Sequence, residues 1–181
     1  HQGIQILYDM YNREEGIYCE RLYSPWPDLH KIMKERNIPL FTLETQTAVR
    51  DKDFLGITIQ YEMCYTNILQ ILDLSQIPLL AKDRGEEDPI VVGGGPCTYN
   101  PEPIAPFFDM FFLGEGEVNN VDVVRLYERM KKEGIYSRED FLHEAAKFPG
   151  VYVPAFFTPV YQEDGTLEDW EIKYDDIPSR V

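Results

Sequence analysis

Hydrophobic and polar positions along this chain alternate between strand-like and helix-like patterns. Residues 54–61, 89–92 and 109–113 are short, mainly apolar runs that lead into polar or glycine-rich turns, as buried strands do. Apolar residues at helical spacing predict helices near residues 4–11, 29–37, 63–75, 118–133 and 137–148. Val121, Val124 and Leu126 fall on or near one face of the fourth helix, and Ser137 is the expected N-cap of the fifth. Helices that alternate with apolar strands predict an α/β domain, in which a parallel sheet carries helices on both faces.

The start of this pattern is unusual, because the first predicted element is a helix and a parallel α/β sheet ordinarily begins on a strand. We therefore expect the first strand of the sheet to precede residue 1 in a longer protein. Residues 17–23 have the composition of a further strand.

The pattern changes after residue 150. Two predicted strands, residues 151–161 and 167–173, flank the turn Glu163-Asp164-Gly165, and this arrangement predicts a β-hairpin. The predicted organisation is an α/β domain over residues 1–150, followed by a hairpin and linker over residues 151–181.

The charge of the chain narrows the classes of partner. Its 32 acidic and 17 basic residues give a net charge of −15, which repels phosphate backbones and anionic lipid surfaces. No apolar run approaches the ~20 residues of a membrane-spanning helix. The three cysteines, at positions 19, 64 and 97, have no short-spaced pair, as is typical of reduced cytoplasmic proteins. We expect a cytoplasmic protein that binds neither nucleic acid nor membranes.

Ligands of open parallel sheets bind beyond the carboxyl ends of the strands. In this chain those ends lead into Thr58-Ile59-Gln60-Tyr61, Gly93-Gly94-Gly95-Pro96 and Gly114-Glu115-Gly116-Glu117. Glycine lets a ligand approach the backbone closely, but it also forms the tight turns that join strands to helices. The triple glycine is compatible with either role, whereas a tight turn is the simpler explanation of Gly114 and Gly116.

Glu115 has two interpretations as well. Its carboxylate could accept hydrogen bonds from a ligand, or it could favour the positive end of the helix that follows. The two glutamates and the missing third glycine argue against a phosphate-binding loop.

Established catalytic and metal-binding patterns are absent from the sequence. Neither His30 nor His143 has a second ligand at zinc-site spacing. Cys64 and Cys97 each follow a strand end and could face one another, although a small buried side chain is their simplest role. The sequence therefore predicts no catalytic residue and no metal ligand in this chain.

The order of the strand-end motifs resembles the cobalamin-binding-like domain that lies N-terminal to many radical SAM enzymes. The similarity extends from the first residue to about residue 157. The segments that carry it are residues 1–8, 24–28, 59–62, 90–96, 100–103 and 109–117.

This resemblance implies a flavodoxin-like sheet that lacks its first strand and a radical SAM barrel after residue 181 as its partner. It also implies that cobalamin, if bound, lies across the strand ends, where Thr58, Gly93 and Gly94 contact the corrin or its nucleotide tail. The candidate cofactor-binding residues are Thr58, Gln60, Tyr61, Gly93, Gly94, Gly95, Gly114, Glu115 and Gly116.

Two motifs of the wider family do not occur here. The D-x-H-x-x-G string, whose histidine ligates cobalt, is absent, and so is the C-x-x-x-C-x-x-C string of radical SAM enzymes. The 4Fe-4S cluster and S-adenosylmethionine are therefore expected only in a downstream domain.

Three functions are compatible with the sequence. The first is an accessory domain that binds a corrinoid, or presents substrate, at its strand ends. The second is a structural or docking module that has lost cobalamin binding. The third is a flavodoxin-like domain for a flavin or nucleotide, which the lack of a phosphate loop disfavours.

Overall fold

Four strands form the main sheet of the computed structural model, which describes residues 2–115 and 119–181. The strand order is β1–β2–β3–β4. The first three strands are parallel and β4 is antiparallel to β3. The bounds are β1 Phe54–Thr58, β2 Ile90–Gly94, β3 Met110–Phe112 and β4 Val151–Tyr152.

Helices cover both faces of this sheet, as predicted. Their bounds are α1 Gln2–Asn12, α2 Pro27–Glu35, α3 Tyr65–Leu74, α4 Asn120–Glu133 and α5 Arg138–Ala145. Successive side chains of β2 point to opposite faces. Val91 packs in one cluster with buried residues of α2 and α3, whereas Ile90 and Val92 pack in a second cluster with α4 and α5.

The three predicted parallel strands are confirmed, although each is shorter than its apolar run. Of the three apolar residues expected on or near one face of α4, Leu126 is buried, whereas Val121 and Val124 are only partly buried. The fully buried apolar residues of α4 are Val123, Leu126, Tyr127 and Met130. The predicted helix start at Val118 lies outside the described residues.

The predicted strand over residues 17–23 is wrong, because this segment joins no sheet. Its backbone bonds instead to side chains and, at the Arg21 carbonyl, to the Leu43 N–H at 2.9 Å. Asn12 Oδ1 accepts from the Cys19 N–H at 3.0 Å, and Glu44 Oε2 accepts from the Arg21 N–H at 2.7 Å. Apolar and aromatic composition indicated an extended segment here, but it could not show that side chains would replace a neighbouring strand.

The predicted strand over residues 151–161 is two strands. Its first part is β4, which completes the main sheet, and a 3-10 turn at Pro154–Phe156 separates it from β5, Phe157–Tyr161. β5 pairs antiparallel with β6, Leu167–Ile172, and this hairpin confirms the prediction. The division of the chain at residue 150 stays a prediction.

The C-terminal segment folds back onto α5. Ile177 is buried in the cluster that α4 and α5 form. His143 Nε2 lies 2.7 Å from Asp176 Oδ1, and its ring stacks on Tyr174 at 3.9 Å between centroids. Lys147 Nζ contacts the second oxygen of Asp176 at 3.0 Å. His143 therefore has a structural partner.

None of the helices over residues 2–115 and 119–181 is long and apolar enough to cross a membrane.

Candidate functional site

The carboxyl ends of β1 and β2 meet at Thr58 and Gly94, which are partners in the sheet. The loops that follow are joined to each other by backbone hydrogen bonds. The Ile59 N–H donates to the Gly94 carbonyl at 2.7 Å, and the Cys97 N–H donates to the Ile59 carbonyl at 3.1 Å. The structure therefore brings Thr58 and the triple glycine together, as the strand-end argument predicts.

Gly93 is a packing residue. A Cβ added at this position would lie 2.5 Å from Cδ1 of Phe111 and 3.1 Å from Cδ1 of Ile59. Phe111 is itself fully buried on the neighbouring strand β3. The space that glycine leaves at position 93 is filled by this chain's own side chains.

Gly95 and Gly94 differ in their surroundings. Gly95 has φ +105°, and a Cβ there would lie 2.9 Å from the Ile59 carbonyl oxygen, so the position requires glycine for the turn itself. A Cβ at Gly94 would meet nothing within 4 Å. Of the triple glycine, only Gly94 faces open space.

Large side chains are exposed in the loops that follow β1 and β2. Tyr61 is 56% exposed, Met63 83% and Tyr99 81%. Gln60 is exposed beside Tyr61. Met63 and Tyr99 belong to two short 3-10 turns, Glu62–Cys64 and Pro96–Tyr99, that follow β1 and β2. The sequence analysis named Gln60 and Tyr61 but missed Met63 and Tyr99, because nothing in their local pattern distinguishes exposed from buried apolar residues.

Cys64 and Cys97 belong to these two turns. Both are partly buried against the core cluster of α2 and α3. Burial raises the pKa of the Cys97 thiol, and the charges of Glu62 and Cys64 raise it further. The two thiols are thus near enough to influence each other, and a raised pKa is typical of unreactive packing cysteines.

The third predicted loop borders a small cavity at the end of β3. Gly114 has φ +100° and open space around it, and Glu115 is exposed. The cavity has a volume of about 210 Å³, and Leu113, Glu115 and Asn120 contribute to its lining. The candidate residue Gly116 lies outside the described residues.

Thr98 connects the ends of β2 and β3 and was missed by the sequence analysis. It is buried, and its hydroxyl lies 2.7 Å from the Gly95 carbonyl oxygen and 3.3 Å from that of Phe112. This one side chain therefore bridges the turn after β2 and the end of β3.

The cavity beside the third loop is too small to enclose a corrinoid. Pockets for drug-sized ligands have volumes of roughly 300–1,000 Å³, and this cavity is smaller although a corrinoid is a larger molecule. His30 and His143 lie within helices α2 and α5 and not in the strand-end loops.

Over residues 2–115 and 119–181 no group of three or more His, Cys, Asp or Glu side chains is arranged to hold a metal ion.

A buried ion cluster lies at the opposite, amino-terminal edge of the sheet. Asp109 Oδ2 accepts from Arg84 at 2.9 Å, from Arg138 at 2.8 Å and from the Val91 N–H at 2.7 Å. Arg84 belongs to the charged loop over residues 82–88, which its sequence alone indicates to be solvated. Its guanidinium also donates to the Pro78, Leu79 and Phe107 carbonyls, so its contacts join three loops. This cluster is structural.

The chain matches one protein-family model, described as radical SAM proteins, N-terminal, over residues 3–154. It is also similar to an uncharacterized protein of Methanocaldococcus jannaschii, with 34% identity over 126 residues. That alignment covers 68% of this chain and 26% of the relative, so the chain spans about a quarter of the relative's length. No solved structure matches. The sheet topology and the family match together show that this chain belongs to the N-terminal domains of radical SAM proteins.

Proposed function

We propose that this chain is an accessory domain that docks on the radical SAM catalytic domain of its own protein. The docking surface consists of Tyr61, Met63 and Tyr99 at the carboxyl ends of β1 and β2. In this position the domain presents substrate, or one wall of the substrate channel, to the catalytic centre.

The observation that carries the proposal is the combination of a filled interior beside Gly93 and three large exposed side chains in the loops after β1 and β2. Phe111 occupies the space beside Gly93, so the strand ends offer a surface and not a deep cleft. Met63 and Tyr99 are each more than four-fifths exposed on that surface. Tyrosine and methionine are enriched at protein interfaces, because they bury a large apolar area.

The family and the length of the relative indicate which partner covers this docking surface. The matching family is defined as the N-terminal part of radical SAM proteins. Because the alignment covers only 26% of the relative, such proteins have further chain that can cover an apolar surface. Conversion of one substrate by two domains of one chain also requires that the domains lie close together.

Oxidation of Met63 by hydrogen peroxide tests the proposal, because the rate at which methionine becomes sulfoxide depends on access to the sulfur. In the 181-residue chain we expect rapid oxidation of Met63. In the longer protein we expect oxidation at least ~10-fold slower. Met33, a buried residue of α2, is the internal control and should react slowly in both proteins. Equal rates for Met63 in the two proteins would contradict docking.

A matched pair of variants of the longer protein sharpens the test. Tyr99→Glu places a charge in the proposed interface, so it should restore rapid oxidation of Met63. Tyr18→Glu changes a tyrosine of similar exposure, 89%, outside the strand-end loops. Glu20, which lies two residues after Tyr18, forms an ion pair with Lys52 just before the start of β1. Tyr18 therefore lies toward the amino-terminal edge of the sheet, opposite the strand-end loops. The Tyr18 variant should leave Met63 protected.

Corrinoid binding is the second candidate, and the open space at Gly94 and Gly114 is the observation that favours it. Titration of the chain with hydroxocobalamin, followed by its visible spectrum, tests this function directly. A spectral change that Gly94→Trp abolishes would favour the corrinoid, since a Cβ at Gly94 meets no protein atom within 4 Å. No spectral change at high micromolar cobalamin would exclude it.

A further inference from the structure

We infer that the β5–β6 hairpin is an arm that binds a separate protein, through a partner surface on which an apolar strip is flanked by lysine or arginine. The two strands of the hairpin form a sheet of their own. A two-stranded sheet is marginally stable in water unless one of its faces packs against a further surface. The side chains of the hairpin show which of its faces is free to do so.

One face of the hairpin is apolar along its whole length. Directly opposed residues of an antiparallel pair place their side chains on the same face, and faces alternate along a strand. The pairs that share this face are Phe157↔Ile172, Pro159↔Trp170 and Tyr161↔Leu167. Phe157 and Ile172, at the base, pack against the core clusters. Tyr161 and Leu167, near the turn, are 61% and 50% exposed. The core of the domain therefore covers only the base of this face.

The rest of the hairpin is acidic. Residues 157–172 contain five carboxylates and no lysine or arginine, the carboxylates being Glu163, Asp164, Glu168, Asp169 and Glu171. Lys173, the first basic residue after them, pairs with Glu139 of α5 at 2.5 Å. The hairpin is only two strands wide, at about 4.8 Å between strands, so all five charges lie within roughly a Debye length of a partner on the apolar face. Charge complementarity therefore favours a partner whose apolar contact has basic borders.

The hairpin begins at the opposite edge of the sheet from the docking surface of the proposed function. Its base is held by Lys173, which pairs with Glu139 in the first turn of α5. The preceding residue, Arg138, donates to the Pro89 carbonyl and to Asp109, each at 2.8 Å, and these residues lie immediately before β2 and β3. The base of the hairpin is thus at the amino-terminal edge. A catalytic domain seated at the carboxyl edge lies on the far side, so the choice of a separate protein rests on the proposed function.

Tryptophan fluorescence of the 181-residue chain tests whether the hairpin binds such a surface. The chain contains two tryptophans, so Trp26→Phe leaves Trp170 of the apolar face as the only one. The probe is a short amphipathic peptide with leucine at helical spacing and lysine at the other positions. We expect the peptide to shift the Trp170 emission to shorter wavelength in a saturable manner, because the ring leaves water. The same peptide with glutamate in place of lysine should cause no shift. No shift with the lysine peptide would overturn the inference.

A matched pair of charge variants separates the hairpin from the acidity of the whole chain. Glu168→Lys combined with Glu171→Lys should weaken the binding of the lysine peptide by at least ~10-fold, because two attractive charges become repulsive. Asp28→Lys combined with Asp51→Lys changes the net charge equally and should weaken binding by less than ~3-fold. All four side chains are exposed, so these substitutions disturb no packed residue. Equal weakening by the two pairs would mean that the peptide responds only to net charge, and would overturn the inference.

Photocrosslinking identifies what covers the hairpin in the cell. Benzoylphenylalanine replaces Tyr161 of the longer protein, produced in its native cells. We expect a crosslink to a separate protein, in a segment whose apolar residues are flanked by lysine or arginine. Glu168→Lys combined with Glu171→Lys should abolish this crosslink. A crosslink within the same polypeptide, a crosslink to a second copy, or no crosslink at all would overturn the inference.

The two proposals can fail separately. Oxidation of Met63 reports on the carboxyl edge of the sheet, whereas peptide binding and crosslinking report on the hairpin at the opposite edge. Protection of Met63 together with no binding at the hairpin would remove only the binding arm.

Discussion

Gly93 and Phe111 are partners on neighbouring parallel strands, and the Phe111 ring occupies the space that a side chain at position 93 would need. The distance from a hypothetical Cβ of Gly93 to Cδ1 of Phe111 is 2.5 Å. The ring is buried and also packs against Phe108 at 4.7 Å and Tyr152 at 6.2 Å between centroids. A glycine that resembles part of a ligand loop thus supports the packing of the core.

Gly93→Ala should therefore lower the free energy of unfolding by about 1–3 kcal/mol, as is usual for overpacking in a well-packed core. Gly94→Ala is the matched control, because a Cβ at Gly94 meets nothing within 4 Å. It should change stability by no more than about 0.5 kcal/mol. Urea unfolding curves measure both values, and similar losses in the two variants would refute the packing role of Gly93.

Gly95 and Gly114 form a second pair for comparison. Both have positive φ, +105° and +100°, so alanine at either position carries backbone strain of roughly 1–2 kcal/mol. Only at Gly95 does a Cβ also approach backbone, at 2.9 Å from the Ile59 carbonyl oxygen. We expect Gly95→Ala to be clearly more destabilising than Gly114→Ala in chemical denaturation. The reverse order would show that the turn after β2 relaxes easily.

The Asp109 cluster predicts a large effect from a small chemical change. Asp109→Asn removes the charge that Arg84 and Arg138 share, and it leaves two buried guanidinium groups uncompensated. Loss of one member of a buried ion pair costs about 3–5 kcal/mol. Asp73→Asn, which breaks the exposed pair with Lys34, should cost less than about 1 kcal/mol. Thermal unfolding compares the two, and equal effects would mean that the buried cluster is solvated.

The attachment of the C-terminal segment should depend on pH. Hydrogen bonds from His143 and Lys147 lower the pKa of Asp176 from 3.8 to about 2. A lowered pKa means that the ionised carboxylate stabilises the folded state above about pH 4, and that this contribution is lost as the pH falls towards 2. Asp176→Asn should remove this pH dependence. NMR chemical shifts of Ile177, whose side chain is buried, report the attachment in both proteins. An identical pH profile in the variant would contradict the role of Asp176.

Ser137 caps α5, as its sequence predicts. Its Oγ accepts from the Asp140 N–H at 3.0 Å. Ser137→Ala should destabilise the protein by about 1 kcal/mol, whereas Ser137→Asn retains a capping oxygen and should have little effect. Calorimetric melting temperatures of both variants test this, and equal stability of wild type and the alanine variant would mean that the cap contributes nothing.

The sequence-based predictions succeeded where the interacting residues are close together in the chain and failed where they are far apart. The cap at Ser137 and the hairpin turn near Gly165 depend on neighbours in the chain, and both are confirmed. The extended segment over residues 17–23 was mistaken for a strand, because its hydrogen-bond partners Asn12 and Glu44 are side chains that no local pattern reveals.

The candidate site shows the same limit. Because parallel strand ends meet at one edge, the sequence predicted correctly that Thr58 and the triple glycine lie together. It could not distinguish Gly93, Gly94 and Gly95, since their roles depend on Phe111 and Ile59 from other strands. Met63 and Tyr99 were missed for a related reason, because exposure is a property of the assembled surface.

For this protein, then, the sequence by itself determined the alternation of helices and strands, the parallel sheet and the edge at which the glycine loops meet. The spacing of apolar residues and the order of elements along the chain are sufficient to predict these features, because both can be recognised from residues that are close together in the sequence. Only the tertiary structure decided that Phe111 fills the space beside Gly93, that Asp109 joins two buried arginines, and that Tyr61, Met63 and Tyr99 are exposed. Each of these depends on atoms far apart in the chain, and their distances arise only when the core packs.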